Sequence, residues 1–214
     1  MRIEAILLDL DGTIVDSFRD IHRALGDAAE DLGAQRPSEG SVRALLHLRL
    51  DQLVPRLMPQ LNAQDVIDRF RAHYDGGSYV ETAPYPQVER TMRELARRNV
   101  KLFVVTNKRR MAAEAILDRL GLCQYIKGLA TADDTDPPSD KASLVARLLA
   151  SHSLQVERTI LVGDTISDRE AAEANGLRFV LAAYGYGGPE SRGPNFAPVR
   201  ISHFGQLLDV CNSF

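Results

Sequence analysis

Ala5-Ile6-Leu7-Leu8-Asp9-Leu10-Asp11-Gly12-Thr13 is an apolar run that ends in two carboxylates two residues apart. Four consecutive apolar residues bounded by Asp and Gly predict a strand buried on both faces of a parallel sheet. In such sheets ligands bind beyond the carboxyl ends of the strands, so Asp9 and Asp11 stand where active sites form. In an extended segment, a spacing of two places both side chains on one side. A pair of carboxylates so placed suits a hard cation and a nucleophile. The plainer alternative is an Asp-Gly turn that only closes a strand.

Three later segments repeat the arrangement. Lys101-Leu102-Phe103-Val104-Val105 runs into Thr106-Asn107-Lys108. Lys141 opens a helix. Thr159-Ile160-Leu161-Val162 runs into Gly163-Asp164-Thr165-Ile166-Ser167-Asp168. Around these, the pattern from Gln87 onward predicts helix 87–98, strand 100–106, helix 109–120, strand 126–130, helix 139–151, strand 159–163, helix 167–175, strand 178–182 and a final helix 203–211. Strands alternating with helices require right-handed crossovers and a parallel, doubly wound α/β sheet.

Residues 15 to 84 follow a different rule. Ile21, Leu25, Ala28, Ala29 and Leu32, then Val42, Leu45, Leu46, Leu50, Leu53, Val54 and Leu57, then Val66, Ile67, Phe70 and Tyr74 recur at helical spacing. Turns are expected at Gly33 with Pro37, at Pro55 with Pro59 and at Gly76-Gly77. The segment reads as three or four helices. The predicted organisation is a core of residues 1–15 and 85–214 with an inserted helical cap, residues 16–84, hinged near Asp16-Ser17 and again near Ala83-Pro84-Tyr85-Pro86.

Length and composition set independent bounds. A chain of 214 residues can bury one α/β core plus a smaller module. A net charge of -3 carries no electrostatic footprint for nucleic acid or an anionic membrane. Cys123 and Cys211 are too few and too far apart for a disulfide framework, which points to a reducing cytoplasm. Asp9 and Asp11 interrupt any signal-peptide core, and no stretch approaches the ~20 apolar residues that span a bilayer. A cytoplasmic monomer or homodimer acting on a small molecule is expected.

The set Asp9-Leu10-Asp11-Gly12-Thr13, Thr106, Lys141 and Gly163-Asp164-x-x-x-Asp168, in this order, resembles the haloacid dehalogenase superfamily of phosphatases. Its phosphoglycolate phosphatase-like members, with a helical cap after the first strand, are the nearest by motif. The likeness extends to Asp16-Ser17 and to Tyr184-Gly185-Tyr186-Gly187-Gly188. It implies a Rossmann-like core and a small phosphorylated metabolite as substrate. It also implies that Asp9 attacks phosphorus to form an aspartyl-phosphate. Where many relatives carry Lys-Pro, this chain reads Pro137-Pro138-Ser139-Asp140-Lys141.

Phosphate-ester cleavage then distributes the remaining roles. Mg²⁺ is the expected cofactor, because Asp9, Asp164 and the backbone carbonyl of Asp11 offer hard oxygen ligands and no His or Cys cluster suggests zinc. Asp11 would protonate the leaving oxygen and later deprotonate the hydrolytic water. Thr106 through its hydroxyl, Asn107 through its backbone N–H and Lys141 through its charge would hold the phosphoryl oxygens, with Lys108 as the substitute for Lys141. Asp168 has three readings at this point: a water-mediated metal ligand, an anchor for Lys141, or a helix-start carboxylate facing the macrodipole.

Specificity falls to the cap, where Arg43, His47 and Arg49 would suit a second anionic group on the leaving portion of the substrate, or would merely form a solvated helix face. Phosphoglycolate is the leading candidate by resemblance. Lys108-Arg109-Arg110 and Arg97-Arg98 are expected on solvated helix faces, His152 and His203 at the surface, and Gly185, Gly187 and Gly188 in a flexible loop beside the metal. The rival functions are a sugar phosphomutase of the same fold and a non-catalytic binding protein that retains it. Asp11 argues against a dehalogenase, and the four standing carboxylates argue against decay to a binder.

Overall fold

The computed structural model describes residues 2–135, 139–193 and 196–213. Pro137 and Pro138 lie outside them. The chain divides into two compact units, Met1–Asp16 with Pro84–Phe214, and Ser17–Ala83.

The larger unit is built on a six-stranded sheet. Its strands are β1 (Ala5–Leu8), β4 (Lys101–Thr106), β5 (Ile126–Thr131), β6 (Thr159–Gly163), β7 (Arg178–Ala182) and β8 (Val199–Ile201), in the order β5-β4-β1-β6-β7-β8, while the short strands β2 (Val15–Asp16) and β3 (Ala83–Pro84) pair separately. All neighbours are parallel. The chain begins in the middle of the sheet, builds outward to β5, then returns to the other side of β1. The switch point between the two directions therefore lies at the carboxyl end of β1, directly before Asp9. Leu8 is in register with Val104 on one side and with Val162 on the other.

The continuous apolar runs are explained by burial on both sheet faces. Leu7, Phe103, Val105 and Leu161 join one cluster with Leu144, Val145 and Leu148 of α7 (Lys141–Ser151) and Ala171 and Ala172 of α8 (Ile166–Ala174). Ile6, Leu8, Leu102, Val104, Ile160 and Val162 point the other way and are equally buried. On that side α5 (Val88–Arg97) packs on β4 and on α9 (Leu207–Ser213), and α6 (Arg110–Arg119) lies against β5. The expected final helix at 203–211 is split, with a 3₁₀ turn over Phe204–Gln206 before α9. Strand β8 had no counterpart in the expected pattern. At three residues, it is too short to show an alternation.

The smaller unit holds four helices, α1 (Phe18–Asp31), α2 (Glu39–Leu45), α3 (Leu50–Leu57) and α4 (Ala63–Gly76). Helix α1 packs along α4, and α3 also rests on α4. Ser38 and Asn62 cap α2 and α4 by accepting from backbone N–H groups of Ser41, and of Gln64 and Asp65. Pro55 does not mark the expected turn. It sits inside α3, which ends two residues later at Leu57, so the one backbone donor that proline removes is lost from a helix of only two turns. Buried Asp20 on α1 fixes the returning chain by accepting from the N–H groups of Glu81 and Thr82 at 3.0 and 2.7 Å and from the Thr82 hydroxyl at 2.7 Å. Nothing in the helical spacing marked Asp20 for that task. No described helix is long and apolar enough to cross a membrane.

Candidate active site

Strand β1 stops at Leu8, so pleat alternation does not carry through to Asp11. A tight turn places the second carboxylate instead. The carbonyl of Leu10 accepts from the N–H groups of Ile14 and Val15 at 2.9 and 3.0 Å, and Gly12 N–H donates to Val15 O at 2.9 Å. Gly12 has φ +80, and a Cβ there would strike the Asp164 carboxylate. Glycine is thus required both by the left-handed backbone and by the close approach. The turn separates the two surroundings. Asp9 is buried, whereas the Asp11 side chain is 24% exposed and lies with Oδ2 3.2 Å from Lys108 Nζ.

Asp9, Asp164 and Asp168 converge, each with a carboxylate oxygen within 4.8 Å of the others. Lys141 enters from the first turn of α7, whose N-cap Asp140 accepts from Ser143 N–H. Its ammonium is 2.9 Å from Asp9 Oδ1 and 2.6 Å from Asp168 Oδ1. Lys141 is therefore buried among carboxylates and is not a solvated helix-start lysine. The second oxygen of Asp168 accepts from the N–H of Thr165 at 3.0 Å and from its hydroxyl at 2.6 Å, closing a capping box on α8. With both oxygens so engaged, Asp168 is placed to anchor Lys141 and cap α8. The Thr165-x-x-Asp168 spacing carried that signal.

Thr106 is buried at the end of β4, and its hydroxyl oxygen accepts from Lys108 N–H at 3.1 Å. Asn107 Oδ1 is buried and meets no donor among the described residues. Lys108 corrects the expectation of a solvated helix start. Helix α6 begins only at Arg110, so Lys108 remains in the loop and folds over the strand ends toward Asp11. Arg110, the first residue of α6, is half-exposed as expected and is also paired. It meets Asp134 at 2.8 Å and the Leu129 carbonyl at 3.0 Å.

The glycine-rich stretch after β7 is also better defined than expected. Tyr184 OH donates to Thr13 O at 2.8 Å, and Tyr186 N–H donates to Asp164 Oδ2 at 2.6 Å. Gly185 presses against the Gly12 carbonyl and the Asp164 side chain, where any Cβ would collide. The segment is a wedge against the acidic cluster.

The electrostatics follow from burial. Three buried carboxylates face one ammonium. Two unit charges 4.8 Å apart repel by about 3.5 kcal/mol at an effective dielectric of about 20. Burial pushes the Asp9 carboxyl up to about 7 against the pull of Lys141, with Asp168 and Asp11 adding to the rise. Asp164 is raised well above the usual carboxylate range by burial, then by Asp9 and Asp168. Lys141 is held charged because the two carboxylates outweigh its desolvation. A desolvated, net negative, all-oxygen donor set of this kind fits a hard divalent cation.

In the helical unit, the Arg43 guanidinium carbon sits over the Phe18 ring, 3.5 Å from its centroid. His47 Nδ1 is buried without a partner among the described residues. Arg49 precedes α3 and pairs with Asp51 at 3.2 Å on the surface.

Residues 6–182 match the model of the haloacid dehalogenase-like hydrolases, and the chain belongs to that family. It is a phosphoric monoester hydrolase. It is 30% identical over 207 residues to the phosphoglycolate phosphatase of Aquifex aeolicus, covering 97% of each chain. It is 32% identical over 194 residues to the plasmid-encoded phosphoglycolate phosphatase of Cupriavidus necator, covering 86% of this chain and 83% of that one. Among solved structures, a haloacid dehalogenase-like hydrolase from Streptococcus pneumoniae shares the fold, with a TM-score of 0.88 at 24% identity over 97% of this chain and 98% of that one.

Proposed function

We propose that this chain is a Mg²⁺-dependent phosphatase that cleaves a small phosphate monoester bearing a second anionic group, with phosphoglycolate the first candidate. The observation that carries the reading is Lys141 bridging Asp9 and Asp168 inside the acidic cluster. By holding Oδ1, Lys141 orients the Asp9 carboxylate so that its other oxygen can attack phosphorus, and it opposes the rise that burial imposes on that carboxyl. The two curated relatives named above support the choice of substrate.

Asp9 and Asp164, with the backbone carbonyl of Asp11, would hold the cation. A bound Mg²⁺ would supply charge neutralisation between the anionic nucleophile and the anionic substrate. Asp9 would form an aspartyl-phosphate and release the leaving oxygen. Asp11, in its more open surroundings, would protonate that oxygen and then take a proton from the water that cleaves the acyl phosphate. The Thr106 hydroxyl and the Asn107 N–H would bind the phosphoryl oxygens, with Lys141 supplying charge. Asp168 acts through Lys141.

For the second anionic group, Arg43 and His47 are better suited than Arg49. Arg43 holds its guanidinium over the Phe18 ring and His47 Nδ1 has no partner among the described residues, whereas Arg49 pairs with Asp51. The test is phosphate release from a panel of phosphorylated metabolites with Mg²⁺ or with excess chelator. Mg²⁺-dependent release that favours two- and three-carbon phosphates bearing a carboxylate is expected. Turnover unaffected by chelation with no bound metal would overturn the metal assignment. Conversion of a sugar phosphate to its isomer without phosphate release would establish a phosphomutase.

A further inference from the structure

Tyr186 is bonded at both ends. Its backbone N–H donates to Asp164 Oδ2 at 2.6 Å, and its phenol donates to Asp16 Oδ1 at 2.7 Å. Asp16 is the last residue of the larger unit before the chain leaves it, and the unit resumes at Pro84. Tyr85, next after the return point, sets its ring edge-on to Tyr184 with centroids 4.8 Å apart. It also donates its N–H to the Ile14 carbonyl at 3.0 Å. One short loop therefore grips both places where the chain crosses out of the sheet domain and, between them, a carboxylate of the acidic cluster. The close fit of Gly185 on Gly12 and Asp164 leaves this loop no slack on the Asp164 side.

We infer that Tyr186 is a positioning residue that couples occupancy of the Asp164 carboxylate to order at the two crossings. An ion pulling on Asp164 draws on the Tyr186 N–H, the rigid aromatic side chain carries that restraint to Asp16, and Tyr184 in the same loop carries it to the Tyr85 ring. The coupling is reciprocal, since whatever orders the crossings favours the bound arrangement of Asp164 by the same factor. The inference rests on the proposed Mg²⁺ site.

The test is amide hydrogen exchange with and without Mg²⁺ on the intact chain. In the unaltered protein, Mg²⁺ slows exchange about tenfold at residues 14–17 and 84–87 as well as around Asp164. Tyr186→Phe keeps the backbone donor and loses the phenol hydroxyl. Asp16→Asn weakens the same bond from its other end. In each variant, protection around Asp164 persists and the Mg²⁺ response at the crossings falls to about threefold or less, and the double variant loses no more than either single one. An unchanged melting temperature in Tyr186→Phe separates this loss from misfolding. Crossings that respond to Mg²⁺ equally in Tyr186→Phe and in the unaltered protein overturn the coupling. So does a response in the unaltered protein confined to the Asp164 loop, or absent altogether. Phosphate release by the unaltered protein is scored separately, so an active enzyme with unresponsive crossings refutes the coupling while leaving the phosphatase reading intact.

Discussion

Lys141 Nζ lies 2.9 Å from Asp9 Oδ1 with both side chains buried. Among the described residues Lys141 is the ammonium that meets the Asp9–Asp164–Asp168 cluster, so removing it exposes the repulsion among those carboxylates. Lys141→Ala is expected to lower stability in chelator by about 3–5 kcal/mol, the usual result of leaving buried charge uncompensated. Mg²⁺ should restore part of that stability and little of the turnover. Urea unfolding with and without Mg²⁺, set beside kcat, measures both effects. Unchanged stability and unchanged kcat would refute the role given to Lys141.

Asp9→Asn and Asp11→Asn are expected to fail differently. A neutral amide at position 9 is no nucleophile, so turnover should vanish on every ester. Asp11→Asn removes only the proton donor. With an aryl phosphate whose leaving group needs no proton, it should retain at least about tenfold more of its first-step rate than with an alkyl phosphate. Pre-steady-state release of the leaving group reads this step. Equal losses on both substrates would refute the acid role.

The raised Asp9 carboxyl makes a pH prediction. Its folded value of about 7 exceeds its ordinary value of 3.8. The metal-free fold then binds more protons than the unfolded chain in between, so this group's contribution is fully present below that ordinary value and is lost as pH rises through about 7. A cation that holds Asp9 ionised removes the penalty. Mg²⁺ should therefore raise the melting temperature more at about pH 8 than at about pH 5.5, by at least roughly 3 °C. A Mg²⁺ effect that is equal at both pH values, or larger in acid, would contradict the placement of Asp9 in the metal site.

In the helical unit, Arg43→Ala and His47→Ala should raise KM for phosphoglycolate and spare a small ester with no second anionic group. A lost charge-assisted contact costs about 1.5–3 kcal/mol, or roughly 10- to 150-fold in kcat/KM. Arg49→Ala should have little effect, because its exposed pairing with Asp51 already occupies it. Steady-state kinetics on both substrates decides between these outcomes. Equal losses on both substrates would point to misfolding of the helices.

How much could be read in advance depended on whether a residue's task was local. β1, β4 and β6 were legible because strands buried on both faces must be continuously apolar, and the polar residues ending them had to be at the sheet's carboxyl edge. The helices of the cap were legible from their spacing. Lys108 was misplaced because its direction depends on the loop before α6, which starts at Arg110, one residue later than expected. Tyr186 was missed because a stretch with three glycines reads as mobile, whereas Gly185 is needed for contact with Gly12 and Asp164. Pro55 was read as a turn because a proline's tolerance inside a short helix depends on the packing around it. Asp20 was silent in sequence, since its partners Glu81 and Thr82 lie some sixty residues away.

The central claim is that Asp9 carries the phosphoryl group, and borohydride trapping during turnover tests it most directly. Reduction of an aspartyl-phosphate converts the residue to homoserine, which peptide mass spectrometry locates. Homoserine is expected at position 9 only when substrate and Mg²⁺ are both present, and none in Asp9→Asn. Sustained phosphate release without modification at position 9, or trapping at any other residue, would contradict it.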